Sequence, residues 1–291
     1  MASSLRSGKT HLIGVIIPSA EINFFGSVVH GIESVANLKG YNVLLYQSNE
    51  SREHEERGLE SFLSARVDGI LISIAKDTID YSHLKEIKTR GIPIVFFDRA
   101  NDDLGIDSVV IDDYKGAFQA TEHLISQGYK RIAHISGPQH LKNFYDRLKG
   151  YMGALQANKI KSEASLIYHG NVSIESGKEG VRHFLGMKNP PDAIFATEDF
   201  TALGVIGELK ERKIKIPDQM GVIGFANELF GEHITPRLST VDQQTIQMGK
   251  SALQLLVDLI EKKEINGHRQ QKIVLEPLLI CRDSSERNRS L

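Results

Sequence analysis

The chain has 291 residues, of which 41% are hydrophobic and 25% are charged, a balance typical of a folded globular protein. Its 35 Lys and Arg nearly offset its 37 Asp and Glu, and the net charge of −2 provides no broad cationic surface for a phosphate backbone. The composition therefore argues against a disordered or fibrous chain and against nucleic-acid binding driven by charge alone.

A single cysteine, Cys281, excludes an intramolecular disulfide and a cysteine metal cluster. It lies in an apolar strand pattern, so we expect a buried, unreactive thiol. The first ten residues lack the apolar segment of a secretory signal, and no apolar run approaches the roughly 18 residues needed to cross a bilayer. We expect a soluble, cytoplasmic protein with no membrane partner.

Apolar runs alternate with amphipathic stretches along the whole chain. The predicted strands lie at 12–18, 41–47, 67–73, 93–97, 108–111, 131–136, 166–169, 192–199, 221–224, 238–242, 271–274 and 278–281. The predicted helices lie at 25–36, 50–65, 81–90, 112–128, 141–158, 174–185, 200–212 and 245–262. Strands separated by helices of about a dozen residues predict parallel sheets with helices on both faces, and their number favours two doubly wound α/β lobes over one sheet.

Two local features of these elements carry specific expectations. Gly40 follows the first helix, where a left-handed residue commonly ends a helix. The second helix contains the charged run 53–57, and charges of mixed sign at helical spacing predict a face that points to water.

The stretch 191–224 predicts one βαβ unit, and its acidic pair, Glu198 and Asp199, lies between the first strand and the helix. In open α/β sheets this edge carries the side chains that contact ligands. Other polar and aromatic residues lie at equivalent strand ends, which gives a candidate ligand-binding set of Phe24, Phe25, Ser73, Asp98, Arg147, Glu198, Asp199, Phe225, Asn227 and Gln243.

Polar groups in an aromatic-walled cleft suit a small polyhydroxylated or ring-shaped ligand, with charge-assisted hydrogen bonds of about 1.5 to 3 kcal/mol each. Nothing in the set pairs a nucleophile with a base. The chain also lacks the Gly-x-Gly-x-x-Gly, His-Glu-x-x-His and Gly-x-Ser-x-Gly signatures, and its histidines do not pair at metal-binding spacing. We therefore expect binding without catalysis, cofactor or metal.

Several members of the set also have a structural explanation. Asp199 can cap its helix. Phe25 lies on the apolar face of its helix, where it can pack in the core. Asp98 and Arg147 can form a structural ion pair, and Gln243 can serve only to start the last helix.

Characteristic segments follow one another in a fixed order: LIGVIIP (12–18), NFF (23–25), VDGILI (67–72), PIVFFD (93–98), GYKRIA (128–133), RLKGY (147–151), EDFTALG (198–204), VIGF (222–225) and LSTVDQ (238–243). With them, the chain from Lys9 to Cys281 resembles the effector-binding core of the lactose repressor/galactose repressor (LacI/GalR) family of bacterial transcription regulators. The resemblance implies two lobes joined by three crossings, with a ligand cleft between them as in periplasmic sugar-binding proteins.

The resemblance also implies boundaries and roles. It assigns residues 1–10 to a hinge remnant, 11–112 with 245–270 to an N-terminal lobe, and 113–244 with 271–291 to a C-terminal lobe. By motif, Asp98 and Arg147 would bind ligand hydroxyls or a carboxylate, Phe25 would stack on the ligand, and Gln243 would line the cleft. Implied partners are a small-molecule effector, a second copy of the chain, and operator DNA.

Family members read operator DNA through an N-terminal helix-turn-helix, which we expect to be missing from this chain. Residues 4–10 resemble the tail of the connecting hinge helix, with Leu5 at the position of a leucine that enters the minor groove. Two departures concern the ligand: Glu198-Asp199 replaces a common Asn-Asp, and Ala226-Asn227 replaces a common Asp. Our hypothesis is that Glu198 takes over hydroxyl recognition.

Two other classes of protein fit the same pattern. A solute-binding protein of a sugar transport system would have the same architecture, and it is the alternative to a regulator. An enzyme of carbohydrate metabolism is the third class, although no catalytic arrangement supports it.

Overall fold

The computed structural model describes residues 9–262 and 269–287. The chain divides into two compact units, and it passes to the second unit after Ile111, returns to the first at Gln244 and leaves it again after Leu275. Each unit is built around its own parallel β-sheet. The predicted α/β fold class with two parallel-sheet units is confirmed.

The first unit contains strands β1 (Leu12–Ile17), β2 (Asn42–Gln47), β3 (Gly69–Ile72), β4 (Ile94–Phe97), β5 (Asp107–Ile111) and β11 (Lys272–Leu275). Its helices are α1 (Asn23–Lys39), α2 (Arg52–Ala65), α3 (Ser82–Thr89) and α8 (Thr245–Lys262). The strand order is β11-β5-β4-β3-β1-β2, and all neighbouring strands are parallel.

Helices cover both faces of this sheet. Gly69 is directly opposite Ile13, so Gly69 and Gly14 point to opposite faces because side chains alternate along a strand. A Cβ on Gly14 would lie 2.3 Å from the Phe62 ring of α2, and one on Gly69 would lie 2.9 Å from Leu256 of α8. These close approaches explain why glycine occupies both strands, and they show that α2 and α8 pack on opposite sides.

The second unit contains strands β6 (Ile132–Ser136), β7 (Ile167–His169), β8 (Ala193–Ala196) and β9 (Gly221–Ile223), and helices α4 (Asp113–Ser126), α5 (Lys142–Ala157), α6 (Ile174–Leu185) and α7 (Asp199–Glu211). The parallel strand order is β7-β6-β8-β9. Strands β10 (Thr240–Asp242) and β12 (Leu278–Ile280) form a separate antiparallel pair. His134 of β6 stacks on Tyr151 of α5, whereas the next residue, Ile135, contacts Gly180 of α6, so helices again cover both faces.

The prediction that residues 271–275 belong to the C-terminal lobe is wrong. Strand β11 pairs in parallel with β5 at the edge of the first unit's sheet. The backbone N–H of Ser108 donates to the carbonyl of Gln271 at 3.0 Å, so the pairing extends to the start of this segment. The last change of unit therefore falls after Leu275.

The end of α1 agrees with its sequence signal. Gly40 has a φ of 74° and is the left-handed C-cap of the helix. The start of α2 is later than predicted, because Asn49 and Glu50 have φ values of 52° and 60° and stand before the helix, which begins at Arg52.

Two expectations about exposure are wrong. Glu55 lies in the charged run predicted to face water, yet it is 0% exposed, because its carboxylate points at the loop after β3 and accepts hydrogen bonds there. Cys281, expected in the core, is exposed. It follows the end of β12, a strand with no fully buried position, and its Sγ lies 3.3 Å from His123 Nδ1.

Within residues 9–262 and 269–287, no helix is long and apolar enough to cross a membrane.

Candidate functional site

In the first unit, two predicted site residues lie side by side. Ser73 directly follows β3 and Asp98 directly follows β4, and these parallel strands are neighbours in the sheet. Both residues are buried, and Ser73 Oγ donates to Asp98 Oδ2 at 3.2 Å. Asp98 has a φ of 59°, in the left-handed region that Asp tolerates better than most residues. The structure thus brings these two residues together at the carboxyl edge of the sheet.

Phe24 and Phe25 occupy the first turn of α1. Both rings are buried, and they meet edge to face with 5.0 Å between centroids. This geometry is a favourable aromatic packing arrangement, and it supports the core role that the sequence left open for Phe25. Stacking of Phe25 on a ligand stays a prediction.

In the second unit, Arg147 of α5 is the centre of a buried cluster. The residue is only 2% exposed, and its Nε donates to Asp113 Oδ1 at 2.8 Å. Its Nη1 donates to the carbonyl oxygen of Thr197 at 2.8 Å, and its Nη2 donates to Gln243 Oε1 at 3.1 Å. The guanidinium carbon lies 3.8 Å from the ring centroid of Phe225, so cation–π attraction adds to the bonds. Three predicted residues, Arg147, Phe225 and Gln243, therefore meet.

Asp113, the ion-pair partner of Arg147, was absent from the predicted set. The sequence offered Asp112 and Asp113 only as helix caps, and in the structure Asp112 takes that role by accepting from the backbone N–H of Lys115 at 2.9 Å. Asp113 is instead buried against the guanidinium at 2.8 Å. The available signal was its position just after β5, a strand end like the others.

Two further polar groups in this cluster were also missed. Thr197 directly follows β8, and Asn143 lies one helical turn before Arg147 on α5. Thr197 Oγ1 and Asn143 Oδ1 are buried, and neither has a hydrogen-bond partner among the described residues. Buried polar groups are almost always paired, so unpaired ones beside a held arginine are suited to bond a ligand.

Glu198 is the N-cap of α7. Its Oε2 accepts from the backbone N–H of Phe200 at 2.9 Å, and its Oε1 accepts from the N–H and the hydroxyl of Thr201 at 2.6 and 2.9 Å. Burial raises the pKa of this carboxyl above its ordinary value, although these hydrogen bonds oppose the rise. Both oxygens already serve the helix start, and recognition of a ligand hydroxyl by Glu198 stays a prediction.

Asp199 neither caps α7 nor reaches solvent. Its Oδ1 accepts from Thr240 Oγ1 at 2.7 Å and its Oδ2 accepts from the backbone N–H of Glu228 at 2.7 Å. Burial raises the pKa of Asp199 to about 7, against the opposing effect of these two bonds. This fully buried carboxyl joins three segments of the second unit, a geometry that supports a structural role over direct ligand contact.

Asn227 is held at both ends of its amide. Its Nδ2 donates to Asp242 Oδ2 at 2.7 Å, and its Oδ1 accepts from Arg282 Nη2 at 3.0 Å. It has a φ of 56°, and the preceding Ala226 has a φ of 139°, a region that non-glycine residues rarely adopt. Asn227 therefore anchors a strained turn after β9, and a ligand contact there stays a prediction.

Two expectations about the site, concerning Leu5 and the cleft, are not tested by the contacts of the described residues. Leu5, expected to enter the DNA minor groove, lies outside the described residues. The expectation that site residues of both units line one cleft stays a prediction.

Two units that each carry polar side chains at the carboxyl edge of a parallel, helix-covered sheet define an α/β binding-protein class. A family model described as periplasmic binding proteins and sugar binding domain of LacI family matches residues 10–278. The chain belongs to this family, and the resemblance drawn from its motifs is confirmed.

Known relatives of the chain are transcription regulators. It is 32% identical over 288 residues to the HTH-type transcriptional regulator RegA of Clostridium saccharobutylicum, covering 98% of this chain and 85% of RegA. The crystal structure of the transcription regulator CcpA of Lactococcus lactis matches with a TM-score of 0.87 and 30% identity, covering 94% of this chain and 98% of that one. A complex of the transcriptional regulator CelR with cellobiose matches with a TM-score of 0.84 and 27% identity, covering 97% and 88%. These similarities favour a regulator over a transport protein.

Proposed function

We propose that this chain is the effector-sensing core of a LacI/GalR-type transcription regulator, and that it binds a small neutral carbohydrate without transforming it. The ligand would bind at the carboxyl edges of the two sheets, at Ser73 with Asp98 and at the cluster around Arg147. The relatives favour the regulator, and the site chemistry favours the ligand class.

The observation that carries the ligand class is the charge balance around Arg147. The guanidinium is already neutralised by Asp113, so a ligand anion would have to compete with a buried carboxylate at 2.8 Å. The three bonds described above use three of the five N–H donors of an arginine. The other donors, with the hydroxyl of Thr197 and the amide oxygen of Asn143, suit neutral hydroxyl groups.

The proposal also covers where the regulator acts, its oligomeric state and its binding to DNA. The regulator would act in the cytoplasm as a homodimer, and it would bind operator DNA through an N-terminal helix-turn-helix. Effector binding would shift an equilibrium between two states, and a change from 1:99 to 99:1 needs about 5.5 kcal/mol of differential affinity. Binding without catalysis is supported by the regulator relatives.

Thermal-shift and calorimetric titrations test the ligand class. We expect D-glucose, D-ribose or cellobiose to stabilise the protein, by about 2.7 kcal/mol at a hundredfold excess over Kd, and glucose 6-phosphate to bind at least tenfold more weakly than glucose. Stabilisation by the phosphate and not by any neutral sugar would overturn the proposed ligand class.

Arg147→Lys tests the site itself. A lysine cannot supply the planar fork that bonds three partners at once, so we expect binding of the sugar to fall by at least tenfold. Arg182→Lys is the matched control, because Arg182 is a half-exposed arginine of the same unit that forms ion pairs with Glu175 and Glu208. Equal sugar affinity in both variants would place the ligand elsewhere.

The regulatory role is tested with the full-length gene product. We expect DNase I footprinting to show protection of a specific sequence, and the sugar that binds should change the protection. Sedimentation should show a dimer. A full-length product that protects no sequence, with or without sugar, would contradict the regulator assignment.

A further inference from the structure

The loop between β3 and α3, residues 73–81, begins with Ser73 of the candidate site. The backbone N–H of Ser73 still donates to the carbonyl of Ile16 in the sheet at 3.1 Å. From Ile74 onwards the chain leaves the sheet, so contacts outside the sheet must fix the direction of the loop. Those contacts come from Arg99 and from two carboxylates, and neither carboxylate bonds Ser73 or belongs to the predicted site.

The first carboxylate is Glu55 of α2, which the sequence placed on a solvated face. It is 0% exposed, and its Oε2 accepts from the backbone N–H of Ala75 at 2.6 Å. Its Oε1 accepts from Thr78 Oγ1 at 3.1 Å and lies 2.6 Å from Nε2 of His83, which is itself 5% exposed. Glu55 thus joins α2 to two points of the loop and to the first turn of α3.

The second carboxylate is Glu50, in the turn before α2. Its Oε2 accepts from the backbone N–H of Lys76 at 2.7 Å, and its two oxygens accept from Nη1 and Nη2 of Arg99 at 2.6 and 3.0 Å. Arg99 also donates to the carbonyl of Ile74 at 3.2 Å and directly follows Asp98. Burial alone would raise the pKa of Glu50, but the attraction of Arg99 and its hydrogen bonds hold that pKa below its ordinary value.

Taken together, the two carboxylates and Arg99 engage three successive backbone groups just after Ser73. Burying a carboxylate is costly unless it is paired and hydrogen-bonded, and the fully buried Glu55 has such partners in the loop and in α3. Hydrogen bonds to charged groups are the strong ones, which makes them suited to fix a backbone rather than merely fill space.

We propose that Glu55 and Glu50 are positioning residues for the carbohydrate site. By fixing the loop after β3, they hold Ser73 against Asp98 in the orientation that binds ligand hydroxyls. The inference rests on the proposed function, because it concerns how the same site is held in place. Neither glutamate touches the ligand in this proposal.

Hydrogen–deuterium exchange on the ligand-free protein tests the holding of the loop. In Glu55→Gln and in Glu50→Gln we expect exchange at residues 73–78 to rise about tenfold, the effect of losing one charge-assisted hydrogen bond, with β1 and α1 unchanged. Asp107→Asn is the matched control, because Asp107 is a buried carboxylate of the same unit that bonds the backbone N–H of Gln271 at 2.9 Å, near the amino end of β5. A rise spread evenly over the unit would overturn the proposal.

Calorimetry with D-glucose, D-ribose and cellobiose tests the link to binding. We expect Glu55→Gln to weaken the sugar that binds wild type by about tenfold, Asp107→Asn to change its Kd by less than twofold, and Glu55→Gln with Ser73→Ala to bind no more weakly than the weaker single variant. Unchanged affinity in Glu55→Gln, or losses that multiply in the double variant, would overturn positioning through Ser73.

The two experiments separate the two proposals. If wild type binds none of the three sugars, the proposed ligand class fails and the role of the glutamates in sugar binding fails with it. The exchange measurement still decides whether they hold the loop. If wild type binds a sugar and Glu55→Gln binds it equally well, the positioning role alone fails.

Discussion

Arg147 is a charge that the protein can bury only because other groups compensate it. Asp113 supplies the opposite charge, and Phe225 covers one face of the guanidinium. Replacing a whole buried ion pair by apolar groups is often neutral, whereas removing one partner leaves an uncompensated charge in a low-dielectric interior. The stability of the second unit should therefore depend on Asp113 far more than on its surface ion pairs.

For Asp113→Ala we expect a loss of about 3 to 5 kcal/mol in the free energy of unfolding, measured by urea titration. Asp146→Ala is the control, since Asp146 pairs with Lys142 on the surface of the same unit at 2.6 Å and such pairs contribute at most about 1 kcal/mol. Similar losses in the two variants would show that the buried pair carries no special weight.

Asp199 gives the second unit a pH dependence. Burial raises its folded pKa to about 7, above its unfolded value, so the folded state binds the extra proton between roughly pH 4 and 7. Stability contributed by this group is therefore greatest at low pH and is lost as the pH rises through that window, by up to about 4 kcal/mol. In Asp199→Asn this component should vanish. Urea midpoints at pH 5 and pH 8 that shift equally in wild type and variant would contradict it.

At the residue scale, the sequence indicated which side chains follow strand ends, but it did not indicate their hydrogen-bond partners. Strand ends are visible because apolar runs stop there, which located Ser73 and Arg147's neighbour Gln243. Helical periodicity, in contrast, reports only the average face of a helix. It could not show that Glu55 turns inward to meet the backbone N–H of Ala75, about 20 residues away in sequence, because that contact exists only after the sheet has formed.

In the second unit, the backbones of α6 and α7 approach each other closely. A Cβ on Gly204 of α7 would lie 1.9 Å from the carbonyl oxygen of Ile174 at the start of α6, and one on Gly177 of α6 would lie 2.1 Å from the carbonyl oxygen of Thr201. The two helices therefore approach through glycines on both sides. The glycines themselves are visible in the sequence, but the sequence alone did not indicate which helices meet.

Two alanine substitutions in α7 should have opposite effects. Gly207→Ala has no atom within 4 Å of the added Cβ, so it should stabilise the protein by up to about 1 kcal/mol through helix propensity. Gly204→Ala must displace backbone of α6, so it should destabilise by about 1 to 3 kcal/mol. Denaturant unfolding of both variants gives the comparison, and a stabilised Gly204→Ala would contradict the close packing.

Most elements were predictable because their patterns are long and regular. The last helix was expected at 245–262 and is observed as Thr245–Lys262, since its apolar periodicity persists over five turns. Residues 271–275 were assigned to the wrong unit because a short strand carries no information about its neighbour. Its partner β5 is more than 150 residues earlier in the chain, and only the assembled sheet selects it.

At the scale of the whole molecule, each unit is completed by a segment from the C-terminal part of the sequence. The second unit needs the segment after β12, where Ser284 is fully buried. Its Oγ donates to the carbonyl of Val222 at 2.7 Å and accepts from the backbone N–H of Ser239 at 2.8 Å. Arg282 adds a bond to the carbonyl of Leu238 at 2.8 Å. A piece of the chain that ends at Gln243 therefore lacks part of this unit.

Ending the chain after Leu275 should therefore destabilise the second unit selectively. The first unit keeps all of its strands, including β11, whereas the second loses β12 and the serine contacts. We expect exchange protection in β6 to β9 to collapse while that in β1 to β5 persists. A chain ending after Arg287 is the control, because it retains β12 and the contacts of Arg282 and Ser284. Equal protection in both truncated chains would contradict the dependence.

Gln243 combines two properties that make it unusual. It is the last residue of the second unit before the backbone crosses to the first, and its side-chain oxygen accepts from Arg147. A sugar hydroxyl that accepts this hydrogen bond in place of Gln243 would release the glutamine side chain. The backbone torsion angles of the segment that joins the two units would then be less restricted, so ligand binding at Arg147 would act directly on that segment.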